Sequence, residues 1–75
     1  MEINDRIREL IAVGASITAN CQPCLKFHVE KAITLGACPE EITAAIEIGN
    51  LVRKGASAKM DDYCLNLHPA SPPAK

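Results

Sequence analysis

The residues of this chain whose types and spacing can do chemistry are Cys21-Gln22-Pro23-Cys24, followed four residues later by His28. Two thiols three positions apart can close into a disulfide and reopen by exchange. An imidazole one helical turn beyond Cys24 can take its proton. A thiol reacts as its thiolate, and a helix N-terminus lowers a cysteine pKa from about 8.5 because unpaired N–H groups stabilise the anion. Cys24 and His28 lie four apart, so on a helix they share a face. That spacing makes Cys24 the nucleophile, with His28 as its base. Cys21, one turn back, is the thiol that attacks an oxidised Cys24 and closes the disulfide. A thioredoxin-type site reverses that order, but it needs a preceding strand, and no strand is predicted.

The elements that must hold these residues are helical. Ile3, Ile7, Leu10, Ile11, Gly14, Ile17 and Thr18 recur at helical spacing and predict a first helix from about Asn4 or Asp5 to about Ala19. A second starts near Cys21 or Gln22, with Pro23 tolerated in its first turn, and ends at Gly36. A third begins at Pro39, with Glu40 and Glu41 at the positive end of its dipole, and stops near Arg53-Lys54-Gly55. A fourth covers about Ala56 to Leu67. The connections are short, so neighbouring helices are expected to pack antiparallel.

The third segment is apolar on two sides. Ile42, Ala45, Ile46, Gly49 and Val52 form one stripe; Ala44, Ile48 and Leu51 form another, roughly opposite. A helix apolar on two sides is buried on two sides, and four short helices hardly cover both. Leu25, Val29, Ala32 and Ile33 share a face of the second helix, while Phe27 stands among Lys26, Glu30, Lys31 and Thr34. Homo-oligomerisation is the expected remedy.

Composition sets the bounds. A chain of 75 residues is one domain, read as a helical domain over 1–67 and a Pro-rich tail over 68–75. Three of the five prolines, Pro69, Pro72 and Pro73, fall in that tail. With one Phe, one Tyr and no Trp, the core is built from Ile, Leu, Val and Ala. The formal net charge of -1 gives no electrostatic case for nucleic acid or an anionic membrane. The charged start Met1-Glu2-Ile3-Asn4-Asp5-Arg6 lacks an apolar signal core, and no apolar run approaches the roughly 20 residues that span a bilayer. A cytoplasmic setting is expected. There, a Cys-x-x-Cys is catalytic or metal-binding rather than a structural staple.

A zinc reading stands beside the redox one. Cys64 and His68 are also four apart, so Cys21, Cys24, Cys64 and His68 could make a tetrahedral set in a non-catalytic module. Against it, Cys64 falls on the stripe Ala56, Met60, Tyr63 and Leu67, as an ordinary core cysteine would, and His68 precedes Pro69 at a helix end. No metal and no cofactor is therefore expected. Cys38 reads as a small buried residue at an N-cap position. A third possibility is a structural assembly protein with idle cysteines.

The run Asn20-Cys21-Gln22-Pro23-Cys24-Leu25-Lys26-Phe27-His28 resembles the active site of the alkylhydroperoxidase D-like, carboxymuconolactone decarboxylase-like family. Gly36-Ala37-Cys38-Pro39-Glu40-Glu41-Ile42 continues the likeness, which covers roughly Arg6 to Lys59. The family motif places a Glu twelve residues before the first cysteine, where this chain has Glu9. The resemblance implies an all-α fold whose short helical repeat assembles into trimers or hexamers. It implies reduction of a peroxide or disulfide through the cysteine pair, which an external dithiol then re-reduces. Cys24 would attack, Cys21 resolve, His28 carry a proton and Glu9 relay it. The best-known peroxidase members carry a second His directly before the second cysteine, where this chain has Pro23. The decarboxylases of the family lack the cysteine pair, so lactone decarboxylation is not expected. Periodicity alone sets Glu9 away from the apolar stripe, beside Asp5 and Ser16, and reads it as solvated. The resemblance brings it to the site through a subunit contact or through packing of that second face.

Overall fold

Three helices form from these signals in a computed structural model that describes residues 2–67. They are α1 (Asp5–Thr18), α2 (Gln22–Thr34) and α3 (Pro39–Leu67), and no strand occurs among the described residues. Asn4 caps α1 by accepting the Ile7 N–H at 2.8 Å. At the other end Asn20 takes φ 57°, and the Cys21 N–H returns to the Ser16 carbonyl while the Asn20 N–H returns to Ile17. This is a Schellman close with Asn in the left-handed position. Gly36, at φ 96°, closes α2 in the same way, with Ala37 N–H to the Ala32 carbonyl and Gly36 N–H to Ile33. The Cys38 N–H donates to Glu41 at the start of α3, and that bond, with the Arg6 guanidinium, holds the Glu41 carboxyl below its usual range.

The helix α1 lies between the other two. Glu9 meets His28 of α2 across an antiparallel pair, in line with the expected packing. Arg6 pairs with Glu41, Gly14 faces Ala45 and Gly49, and Arg53 reaches the Ile17 carbonyl, so α1 and α3 run parallel.

The expected fourth helix is not separate. α3 is continuous through Gly55, which keeps helical geometry. A single glycine costs a helix interior only about 1 kcal/mol, and its neighbours Lys54, Ala56 and Ala58 are good helix formers. The expected core also moves. The buried residues of α1 are Glu9, Val13 and Ser16, whereas Ile3, Ile7 and Ile11 of the apolar stripe are exposed. Among the described residues, the buried hydrophobic side chains are Val13, Ala32 and Ala37. Cys38 and Cys64, read as buried, are both exposed: Cys38 caps the α2–α3 corner with its backbone, and Cys64 stands on the part of α3 beyond α1. The tail over 68–75 lies outside the described residues.

Small residues let α1 and α3 touch. A Cβ at Gly49 would lie 2.5 Å from the Gly14 carbonyl oxygen and 2.8 Å from Ile17 Cβ. Neither backbone can yield without separating the helices. Gly49→Ala is therefore expected to lower stability by about 1–3 kcal/mol, the cost of overpacking. Gly55 has nothing within 4 Å; Gly55→Ala is expected to raise stability by about 0.5–1 kcal/mol. Urea midpoints of both variants check the pair, and equal shifts would contradict the close approach.

Candidate active site

Cys21 is the residue at which α1 ends and α2 begins. The Schellman close at Asn20 fixes the entry of the chain, and Cys21 then acts as N-cap, its Sγ accepting the Cys24 N–H at 3.3 Å. Pro23 sits in the first turn of α2, where a missing N–H costs nothing. Cys21 and Cys24 are joined as a disulfide, with Cα atoms 5.2 Å apart. The two sulfurs differ in access: Cys24 is exposed and Cys21 half-buried. Both stand at the positive end of the α2 dipole, which favours a thiolate once the bond opens.

One turn further along α2, His28 Nδ1 lies 2.6 Å from Glu9 Oε1. The Glu9 side chain is 9 % exposed and that of His28 28 %. The apolar stripe of α1 is not what packs against α2; the face carrying Glu9, Val13 and Ser16 is, and it carries Glu9 inward with it. The solvated reading of Glu9 is thus corrected. The contact forms within one chain through packing of the second face, with no subunit contact needed. Glu9 is not stranded there, because no buried side-chain N or O among the described residues lacks a partner. The carboxylate anchors Nδ1 and so leaves Nε2 as the ring nitrogen free to carry a proton. Phe27, 56 % exposed, sets its ring edge-on to the imidazole, with centroids 4.9 Å apart.

Of the residues singled out by sequence, Cys21, Cys24, His28 and Glu9 come together at the α1–α2 face. Cys64 does not join them. It lies eleven residues beyond Arg53 on α3, about 16 Å along a helix, and His68 falls outside the described residues. Among the described residues no group of three His, Cys, Asp or Glu side chains is placed to hold a metal ion.

Arg53 and Asn20 were not anticipated. Arg53 Nη1 donates to Asn20 Oδ1 at 2.7 Å and Nη2 to Asn50 Oδ1 at 2.9 Å. The guanidinium thereby ties α3 to the corner residue next to Cys21. Ser16, Ile17, Asn20, Cys21, Leu25 and Arg53 line a small recess beside the disulfide. The available signal was Asn20 itself, since Asn after a helix is the commonest non-glycine residue to take the left-handed position.

Residues 2–61 match the sequence model of the carboxymuconolactone decarboxylase family. No curated protein and no solved structure matches the chain.

Proposed function

Because the chain belongs to the carboxymuconolactone decarboxylase family, we propose that it is a thiol-dependent oxidoreductase of that family, a peroxidase or a dithiol–disulfide exchanger. Its working group is the Cys21–Cys24 couple. The observation that carries the proposal is the Glu9–His28 pair, one helical turn from an exposed cysteine that is already paired in a disulfide. A structural disulfide has no use for a buried carboxylate aimed at an imidazole on the next turn.

In the reduced protein His28 Nε2 takes the Cys24 thiol proton, and the thiolate attacks the terminal oxygen of a hydroperoxide. The O–O bond breaks, the oxygen is transferred to sulfur, and the departing alkoxide takes a proton from His28 Nε2. Cys24 is then a sulfenic acid. Cys21 gives its thiol proton to His28, its thiolate attacks that sulfur, the S–O bond breaks, and hydroxide leaves as water with that proton. An external dithiol supplies two electrons and two protons to reopen the disulfide. With a disulfide substrate, Cys24 forms a mixed disulfide instead, and Cys21 resolves it by the same attack. Glu9 keeps the imidazole oriented through both proton transfers. Pro23 places no second imidazole between the cysteines, so His28 serves each proton step in turn. The setting is a reducing compartment such as the cytoplasm, where a dithiol donor is at hand.

Thiol counting on the purified protein, before and after reduction and with metal analysis on the same sample, tests this. The expected result is two additional thiols per chain on reduction and no bound metal. Stoichiometric zinc released by an oxidant would replace the redox couple with a zinc module.

A further inference from the structure

The two cysteines are placed by different parts of the fold. Cys24 stands in the first turn of α2, on the helix that also carries His28. Cys21 is placed by the α1–α2 corner. Its N–H bonds to the Ser16 carbonyl at 3.0 Å, and its own carbonyl accepts the Leu25 N–H at 3.0 Å. The first of these bonds closes only while Asn20, the residue before it, keeps its left-handed turn at φ 57°.

An asparagine takes that conformation when its short side chain bonds to nearby backbone. Here the side chain is held from another helix. Asn20 Oδ1 accepts Arg53 Nη1 at 2.7 Å, and the same nitrogen reaches the Ile17 carbonyl, which also receives the Asn20 N–H, at 3.5 Å. Arg53 Nη2 is braced on Asn50 Oδ1 at 2.9 Å, one turn earlier on α3. One guanidinium thus grips both the side chain of the turn and the carbonyl that closes it. Helix packing does not require this grip: α1 and α3 touch at Gly14 and Gly49, and Arg53 is exposed. Among the described residues Arg53 forms no ion pair, and none of its bonds runs to Cys24, His28 or Glu9.

We propose that Arg53 is a positioning residue for disulfide closure: by holding Asn20 it keeps Cys21 within reach of the sulfur of Cys24. The proposal rests on the redox reading, in which Cys21 is the resolving thiol. In the disulfide, the S–S bond itself fixes Cys21. In the dithiol only the corner does, and the recess that Cys21 and Arg53 share, about 140 Å³, gives the freed thiol space to turn away. Holding two reacting groups in place removes an ordering cost from the step that joins them. That step is the attack of Cys21 on Cys24, in which the S–S bond forms and the group carried by Cys24 leaves. Attack of Cys24 on the oxidant comes earlier and does not involve the corner.

The test treats the reduced full chain with dipyridyl disulfide, an uncharged probe. Attack by Cys24 places a pyridylthio group on its sulfur and expels one thiopyridine; attack by Cys21 expels the second and closes the disulfide. Rapid acid quenching and peptide mass spectrometry follow both steps at Cys21 and Cys24, separately from Cys38 and Cys64. Arg53→Gln is expected to take the probe on Cys24 at the native rate and to close about tenfold more slowly. With reopening unchanged, that tenfold raises the potential of the pair by about 30 mV, read by equilibration with dithiothreitol and its disulfide. A role in folding alone would slow both steps together. Arg53→Lys keeps the charge without the fork, and is expected to close as slowly as Arg53→Gln. Asn20→Gly keeps the left-handed turn and removes the acceptor; adding Arg53→Gln to it is expected to slow closure no further. Native closure in Arg53→Gln, full recovery with lysine, or multiplied losses in the double variant would each overturn the role of Arg53 and leave the redox couple standing. A native chain that takes the probe on Cys24 and never closes would overturn both.

Discussion

Replacing Cys24 with serine is expected to stop oxidant consumption, with a loss on the order of a thousandfold or more, as when a nucleophile is removed. Serine cannot form the thiolate that the N-terminus of α2 favours, and no other sulfur stands in its place. Cys21→Ser is expected to behave differently. Cys24 is the exposed member of the pair, so it still reduces one equivalent of peroxide. Turnover then halts, with a sulfenic acid on Cys24 and no disulfide to reopen. Mass spectrometry of the two variants after a single addition of peroxide distinguishes them: one added oxygen on Cys24 of Cys21→Ser, none on Cys21 of Cys24→Ser. The reverse pattern would make Cys21 the attacker.

His28→Gln is expected to slow the oxidative step by about 10²–10⁴-fold, the usual worth of a positioned proton donor. Glu9→Gln keeps an acceptor beside Nδ1 and loses the charge, and it is expected to slow the same step as well. Glu9 meets the imidazole at 2.6 Å, so its effect on the sulfur is expected to run through that ring. The double variant should therefore be no slower than His28→Gln alone. Rates from rapid mixing with peroxide, in all four members of the cycle, check this. Multiplicative losses would show Glu9 acting by a route of its own, and unchanged thiol counts in each variant would rule out damage to the disulfide.

The chemistry was legible because it is local. Cys21, Cys24 and His28 lie within eight residues on one helix start, and helix geometry sets their relations without help from the rest of the fold. Glu9 was legible from the family offset and not from periodicity, for a physical reason. The moment of α1 points to its isoleucines, yet the chain buries Glu9, Val13 and Ser16 against α2, and the stripe is left lining an open groove. A single sequence shows that a helix has two candidate faces, not which of them its own chain covers. The same limit explains Cys64. Its stripe with Met60, Tyr63 and Leu67 is a real apolar face, but no part of the described chain packs on it. Gly55 misled in another way. A glycine after two basic residues is a usual helix stop, but it stops a helix only when it takes a left-handed conformation, as Gly36 does and Gly55 does not. The boundaries of α1 and α2, by contrast, were set by Asn4, Pro23 and Gly36, each of which carries its backbone preference wherever it is placed.

The central claim is that Cys21 and Cys24 cycle between dithiol and disulfide during turnover. The most direct test is steady-state kinetics with hydrogen peroxide, an organic hydroperoxide and a small disulfide as oxidants, and with dihydrolipoamide or thioredoxin as donor. The prediction is sustained turnover with at least one oxidant–donor pair, lost in Cys24→Ser. No turnover with any pair, or equal turnover in Cys24→Ser, would contradict it.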